Sequence, residues 1–593
     1  MKRCFDSNIK KFIEIEQDQW LGEMINNFKL IFTGEFPSDE QVLAWKDCFV
    51  KLQKELKKLS SLEGHIIFEY LLPMEGGRRP DVVLLLEDKV FILEFKMKKT
   101  YSHSDLDQLK GYYRDITGYH RESQKLTVVP FLITTMIEDK KIVIDGRYNI
   151  CSCNMLVDTL NTLLSGENLN IDPKIWMESE YSQLPTLINA AIDIFNNNDI
   201  KELRSAKSAG IYTALDKLKT ISEWTTDVIK NTSKANSISF VTGVPGAGKT
   251  LLGLEFIHHS KGGSFLSGNG PLVKVLQYAL QSRTFVTDLY KFKSEYTGNS
   301  KQPHTNIIVF DEAQRAWDTL QNKRYKKSEP QCIIEIADKT TKPCHYLGLI
   351  GEGQEIHHGE EQGIKLWREA LRSSKKLWYV TCPESLKIYF EGLDNVKIKI
   401  IKEFNLDSSL RTHAANEYPK WVKNILENIP DEKLAEKIQE NNFNMYITRE
   451  LGKAKKYCLN RYKDSKYKKY GLLGSSKVYR DKSEKIDPGP WFHDPVSSAN
   501  SCCSFKSIAT EFDCQGLEID MPIICWGEDL LYDENNWAKY TLDTKLQDPH
   551  KIRLNSYRVL LTRGRDGVIV YIPKDEKFDE TYKFLIKAGM KTL

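Results

Sequence analysis

The stretch SISFVTGVPGAGKTLLGLEFIHH, residues 237–259, decides how the rest of the chain is read. A β-rich apolar run, SISFVTG, enters a glycine-rich turn that opens directly into the helical pattern LLGLEFIHH. Strand, glycine loop and helix in that order form a phosphate cradle. Gly243, Gly246 and Gly248 let backbone N–H groups approach the phosphates, Lys249 meets the β/γ charge, and Thr250 offers a hydroxyl to Mg²⁺. The expected ligand is ATP with Mg²⁺. Some sixty residues on, the apolar run IIVF ends in Asp311 and Glu312. There Asp311 would hold the Mg²⁺ shell and Glu312 would orient the attacking water. Farther along, GEGQ puts Gln354 at the tip of another strand, as a polar sensor of the γ-phosphate.

Outward from this loop, NIIVFDEAQ, YLGLIGEGQ, MPIICWG and GVIVYIP each read as a strand ending in a polar cluster. In open α/β sheets ligands sit at the carboxyl ends of strands. The spacing predicts two consecutive α/β domains, 236–390 and 391–593, joined near 385–405. Ahead of them, 201–235 reads as a linker helix. Residues 1–60 read as a helical lead-in, with Leu30, Ile31, Val42, Leu43, Phe49, Val50, Leu52 and Leu56 at three- and four-residue intervals. Between 61 and 200 the strand-like runs HIIFEYLL, DVVLLL and KVFILEFK precede a polar helix near 104–116 and the strand VVPFLITT, which makes a further α/β unit.

That front unit has its own chemistry. Asp81 starts one strand and Glu94-Phe95-Lys96 ends the next, so Glu94 and Lys96 share a face of a two-residue-period strand beside Asp81. Asp81 and Glu94 are candidate ligands for Mg²⁺ or Mn²⁺ against a scissile phosphate, and Lys96 would orient or help deprotonate a water.

Length and composition frame these readings. At 593 residues the chain exceeds one core, and the prior is about three or four domains. The start has no signal-like apolar stretch, and no run of about 18 apolar residues occurs, so a cytoplasmic protein without membrane contact is expected. The twelve cysteines are scattered without a CxxC pair and read as reduced core thiols. Cys151, Cys153, Cys502 and Cys503 come nearest to an iron–sulfur pattern. His304, His357 and His358 lack convincing metal spacing. A net charge of +4, from 85 basic and 81 acidic residues, does not by itself mark a nucleic-acid binder. Distribution says more: from Lys453 to Arg480 lysines and arginines alternate with Tyr457, Tyr462, Tyr467, Tyr470 and Tyr479. Either this is a single-strand track, with cations on phosphates and rings on bases, or it is a solvated helix face with its tyrosines turned inward.

The series SGNGPLVKVL (267–276), FDEAQRAW (310–317), GEGQEIHHGEE (351–361), SLRTH (409–413), FDCQGLEID (512–520) and YRVLLTRGRD (557–566) resembles a superfamily 1 helicase. More narrowly, it resembles a bacterial helicase-like ATPase family related to the motor half of the long Schlafen proteins, over about 236–575. The resemblance implies that Arg411 and Arg563, with Arg565 as a second candidate, reach the γ-phosphate, and that Gln515, Gly516 and Glu518 couple nucleotide to nucleic acid. One departure is that no glutamine shortly before Gly243 is available to read adenine. The front unit, with Pro80 before Asp81, resembles the PD-(D/E)xK nuclease superfamily. That likeness implies an extra carboxylate at Glu69 and substrate contacts from Gln108 and Tyr112 in the QxxxY manner. The expected fold class is therefore α/β, a PD-(D/E)xK nuclease domain at 61–200 followed by two RecA-like P-loop NTPase domains. The expected function is an ATP-dependent nuclease-helicase acting on single- or double-stranded DNA, with defence against phage or foreign DNA as the setting the resemblance implies. Two alternatives remain open: an RNA-cleaving effector gated by ATP, and a DNA translocase or clamp with an inactive nuclease fold. Protein partners or a homo-oligomer are compatible with either.

Overall fold

The computed structural model describes residues 2–181, 211–227, 235–243, 247–351, 363–406, 413–479, 486–538 and 548–593, with isolated positions between 182 and 210. Within those spans it leaves out 60–62, 74–76, 138–139, 145, 261, 283–284, 320–321, 323, 464, 466 and 534. The chain folds into two compact units. One comprises 1–183 together with 450–468 and Leu593, the other 184–449 together with 469–592.

The first unit is built on a seven-stranded mixed sheet. Its strands are β1 (Phe5–Asn8), β2 (Gly64–Phe68), β3 (Val82–Leu86), β4 (Lys89–Lys96), β5 (Thr127–Thr134), β6 (Lys141–Ile144) and β7 (Tyr148–Ser152), in the order β1-β2-β3-β4-β5-β7-β6. The pairs from β1 to β4 are antiparallel, and β4 runs parallel to β5. All five residues of β3 are buried, as expected of a central strand covered on both faces. One face packs on α1 (Ile9–Glu14), α2 (Gln17–Ile31) and α3 (Asp39–Leu56), through a core that includes Phe12, Trp20, Phe49 and Phe68. The other packs on α4 (His103–Tyr119), started by a capping box between Ser102 and Asp105.

The lead-in differs from the periodicity reading in two ways. Residues 5–8 form an edge strand rather than helix. The buried stripe of α3 is Trp45, Cys48, Phe49, Leu52 and Leu56, while Leu30, Leu43 and Val50 are exposed. Aromatic Trp45 outcompeted its aliphatic neighbours for the core, because a large ring buries more apolar area at one position.

The second unit holds two wholly parallel sheets. The first contains β8 (Ala235–Gly243), β9 (Ser264–Ser267), β10 (Val286–Asp288), β11 (Ile307–Asp311), β12 (His345–Gly351), β13 (Leu377–Cys382), β14 (Val396–Ile400) and β15 (Asn405–Leu406). Its order is β10-β9-β11-β12-β8-β13-β14, with β15 beside β8, so the sheet continues through Leu406. The second contains β16 (Asn444–Thr448), β17 (Tyr470–Gly474), β18 (Ile508–Thr510) and β19 (Met521–Cys525). A two-stranded ribbon, β20 (Tyr532–Asp533) and β21 (Asn536–Trp537), stands apart from it, and β22 (Gly567–Tyr571) and β23 (Lys591–Thr592) complete the order β18-β17-β19-β22-β16-β23. Three helices matter for function: α5 (Lys249–His259), α6 (Gly270–Ala279) and, in the first unit, α7 (Leu451–Arg461).

All twelve cysteines are buried and unbridged. Among the described residues, no helix is long and apolar enough to cross a membrane.

Candidate functional site

Two sites emerge, one in each unit. In the first, antiparallel pairing of Val82 with Leu93 brings Asp81 level with Glu94. The Asp81 carboxylate accepts the Phe95 backbone N–H at 2.7 Å. Two positions along β4, Lys96 Nζ donates to Glu94 Oε1 at 2.8 Å and to Gln108 Oε1 of α4 at 3.0 Å. Gln108 Nε2 in turn donates to the Tyr112 hydroxyl at 3.1 Å. A single line of polar contacts thus runs from the end of β4 into the helix that covers it. Glu94 is almost fully buried. Burial, followed by the charge of Glu94, pushes the Asp81 carboxyl well above the ordinary carboxylate range, with Lys96 opposing.

The two outlying residues implied by the resemblance have defined places. Glu69, with a left-handed backbone at φ 51, accepts from Trp45 Nε1 at 2.8 Å and from Arg79 Nε. Tyr112 is wholly buried, its ring under the Arg78 guanidinium at 5.0 Å. Arg78 also pairs with Asp115 at 2.6 Å. Arg78 and Arg79 escaped the sequence reading, although RRPD placed two arginines directly before Asp81. Gly111 makes room for Arg78: a Cβ there would lie 2.5 Å from its guanidinium nitrogen.

In the second unit the glycine loop lies between β8 and α5, and Gly248 takes φ 83 at the helix start, a conformation suited to glycine. Lys249 Nζ donates to the Gly243 carbonyl at 2.8 Å, folded back across the loop mouth. Thr250 Oγ1 donates to Asp311 Oδ1 at 3.3 Å, joining the start of α5 to the end of β11. Glu312 stands at φ 55 and accepts from Gln314 Nε2. Gln314 Oε1 accepts the Gly351 N–H at 3.0 Å, at the end of β12. Gln314 was not singled out from sequence, though the fourth position of DEAQ was its signal. A Cβ at Gly351 would lie 3.2 Å from both Gln314 and Glu312 and 3.7 Å from Lys249, so Gly351 abuts the same site. Gly246, Gln354 and Arg411 lie outside the described residues.

From the second parallel sheet, Gln515 and Gly516 meet α6: Asn269 Nδ2 donates to the Gln515 carbonyl at 2.7 Å. Gly516, at φ 70, has Asn269 where a Cβ would be, 2.4 Å away. Asn269 is a further residue the sequence reading passed over. Arg563 Nε donates to the Val559 carbonyl at 2.9 Å, and its Nη1 reaches the Leu517 carbonyl at 3.3 Å. Arg565 N–H donates to the Ile519 carbonyl at 3.0 Å, which holds the TRGR turn against the segment carrying the partly buried Glu518.

Of the two readings open for the lysine–tyrosine segment, burial favours the inward one at three of its tyrosines. Tyr457, Tyr462 and Tyr470 are buried at 4%, 4% and 2% exposure, so these rings are core and do not stack on bases. Tyr467, at 67%, remains outside. Within α7, Lys453 and Lys456 face water and Tyr457 turns inward, whereas Tyr462 sits at the helix end and Tyr470 in β17.

Parallel strands, a glycine-rich sequence between β8 and α5, and a strand-end Asp311 bonded to Thr250 are the parts of a nucleotide-binding α/β domain. A family model described as Schlafen group 3, DNA/RNA helicase domain, matches residues 236–574, more than half of the chain. The chain belongs to that family. No curated protein matches it.

Proposed function

We propose that the chain is an ATP-driven motor on nucleic acid joined to a divalent-metal phosphodiesterase, and that it tracks along and cuts DNA. The observation that carries the reading is the cluster of Asp81, Glu94, Lys96 and Gln108. These residues come from the start of β3, the end of β4 and the face of α4, and their burial disfavours the fold unless it serves chemistry. Asp81 and Glu94 would hold Mg²⁺ or Mn²⁺. A pair of carboxylates suits Mg²⁺, which binds through one or two carboxylates with several waters retained. When bound, the ion supplies positive charge to the scissile phosphate. Lys96 would then exchange its contact with Glu94 for the attacking water, with Gln108 holding the ammonium in place. Tyr112 and Arg78 fix Gln108 from behind.

In the motor, Gly243 to Thr250 would cradle the phosphates of ATP, with Mg²⁺ on Thr250 and Asp311. Lys249 would leave the Gly243 carbonyl for the β/γ oxygens. Glu312 would orient the hydrolytic water, and Gln314 would report that step to the end of β12. Arg563 or Arg565 would supply charge opposite, and Gln515 and Glu518 would link it to the strand being tracked.

The test is a matrix of wild type, Lys249→Ala, Asp81→Ala and Lys96→Ala on single-stranded DNA, duplex DNA and RNA, with and without ATP, in Mg²⁺ or Mn²⁺. The expected result is DNA cleavage lost in the Asp81 and Lys96 variants and nucleic-acid-stimulated ATPase lost in Lys249→Ala. Normal ATP turnover by Lys249→Ala would refute the motor, and absence of cleavage by wild type would refute the nuclease. A second reading, an RNA-cleaving effector with the ATPase as its switch, is favoured by the family's description as a DNA/RNA helicase domain. Cleavage of RNA but not DNA would select it.

A further inference from the structure

Helix α7 lies, in sequence, inside the half of the chain that carries the motor motifs, between β16 and β17 of the second parallel sheet. In space it belongs to the first unit: residues 450–468 group with 1–183 and pack on α4. Its inward stripe is Ala454, Tyr457, Cys458 and Arg461, at the three- and four-residue spacing of one helix face. At its centre the Tyr457 hydroxyl donates to Asp107 Oδ2 at 2.7 Å and accepts from Arg461 Nη1 at 2.7 Å. All three residues are buried, at 4%, 2% and 7% exposure. Asp107 immediately precedes Gln108, whose carbonyl oxygen holds Lys96 at 3.0 Å.

We infer that α7 is the coupling element of the molecule, and that Tyr457, Asp107 and Arg461 are positioning residues through which the nucleotide state of the motor sets the place of Gln108 and so of Lys96. The inference rests on the reading of the two sites as ATPase and nuclease. Three facts carry it. The segment that carries the helix is continuous with the second parallel sheet on both sides: α7 begins at Leu451, three residues after Thr448 of β16, and the chain rejoins the sheet at Tyr470 of β17, nine residues after Arg461. A change at the end of β16 therefore reaches α7 along the chain at its first turn. The contact with α4 is a buried, charge-assisted network, stiffer than an apolar seam and dependent on direction. Finally, the contact downstream is poised: a shift of α4 by about 0.5–1 Å takes the 3.0 Å bond between Lys96 and Gln108 to the limit of a hydrogen bond. The exposed pair Lys463–Glu40, 3.1 Å apart, adds a second tie of small strength.

The experiment compares full-length wild type with Tyr457→Phe and Asp107→Asn. Tyr457→Phe keeps the ring in the core and removes only the hydroxyl. Two readouts are taken. The first is the ratio of cleavage rates with and without ATP. The second is hydrogen exchange of the 103–119 and 451–461 peptides, with and without a non-hydrolysable ATP analogue. In wild type the ratio should differ from one, and both peptides should change protection with nucleotide. In Tyr457→Phe the ratio should fall to about one and the nucleotide-dependent change in 103–119 should vanish. ATPase turnover and cleavage without ATP should stay within about twofold of wild type, while the unfolding midpoint should fall by a few degrees because Asp107 and Arg461 lose a buried partner. A purely structural role would lower basal cleavage along with stability while leaving the ratio as it was, and that outcome overturns the inference. If wild type cleaves nothing, the nuclease reading fails by itself. The exchange readout still decides the coupling, which is overturned by a 103–119 peptide indifferent to nucleotide in wild type.

Discussion

On the proposed reading, the two sites would each hold a divalent cation against a phosphate, with opposite degrees of preassembly. In the first unit the acidic pair, the lysine and the glutamine fall between residues 81 and 108, on two adjacent strands and the helix over them, already joined in one hydrogen-bonded line. In the second unit Lys249 is folded back on its own loop at Gly243, and the Thr250–Asp311 contact is long at 3.3 Å. Its parts come from strand ends more than a hundred residues apart, from Gly243 to Gly351. The difference teaches where conformational change has to occur. On that reading the cutting site would need little beyond its metal and substrate, whereas the motor site would rearrange whenever nucleotide arrives, as a cyclic machine requires.

The largest expected effect lies where rearrangement is greatest. Lys249→Ala should reduce nucleic-acid-stimulated ATP turnover by on the order of 10³-fold, because it removes the cation aimed at the β/γ oxygens. Lys249→Arg should not restore it, since the longer planar head does not fit a loop shaped for an ammonium. Steady-state phosphate release checks both. Next, Lys96→Ala should lower single-turnover cleavage by roughly 10²–10³-fold with ATPase unchanged. Gln108→Ala should cost less, about tenfold, since it holds Lys96 rather than the phosphate. Equal losses from the two substitutions would mean that Gln108 itself meets substrate and that the preassembled line has another purpose.

What could be read from sequence follows the same divide. The acid–lysine centre was legible because a two-residue strand period puts Glu94 and Lys96 on one face within three letters, and the four-residue spacing of Gln108 and Tyr112 does the same on a helix. The partners of Glu69 were not legible: Trp45 lies 24 residues upstream on a separate helix, and only the packed fold brings it there. The glycine loop was plain, but Gln314 and Asn269 act through backbone groups at Gly351 and Gln515, contacts that no local pattern announces. The tyrosines after Lys453 left two readings open because a surface helix and a nucleic-acid track share one alternation. Burial of Tyr457 decided it, and it revealed that α7 serves the first unit. Behind the second parallel sheet, Arg553 pairs with Asp529 at 3.1 Å and Glu511 at 3.5 Å, wholly buried, a network assembled from three distant segments and equally silent in the sequence.

A smaller effect sharpens the comparison on the motor side. Gln314→Ala should slow ATP turnover by about 10–100-fold while leaving ATP binding, read by fluorescent nucleotide titration, within about threefold of wild type. Its contacts with Glu312 and Gly351 orient a neighbour rather than touch phosphate. A loss confined to affinity would instead make Gln314 part of the nucleotide pocket.

The smallest effect compares the two units as folds. Among the described residues, each unit has one fully buried histidine whose ring is held below its ordinary value mainly by desolvation, His120 in the first unit, to about 4, and His345 in the second, to about 3; the half-buried His258 and His493 of the second unit are lowered too. His120 sits against Tyr70, Ser123 and Trp176, and His345 against Ser237. Because the folded state resists protonation, each contribution is fully present above the unfolded value near 6.5. It is lost as pH falls from there toward about 4 for His120 and about 3 for His345. At pH 5 each should have lost about 2 kcal/mol relative to pH 8. The units should therefore weaken in parallel between pH 6.5 and about 4, and below that the histidine contribution should continue to fall only in the second. Hydrogen exchange of peptides from β5 and β12 across pH 4–8, corrected for intrinsic rates, measures the two losses separately. His345→Asn, which removes the titrating ring while retaining a polar side chain beside Ser237, should flatten the β12 profile and leave the β5 profile unchanged. A β12 profile that keeps its slope in that variant would assign the acid sensitivity of the motor to its carboxylates instead.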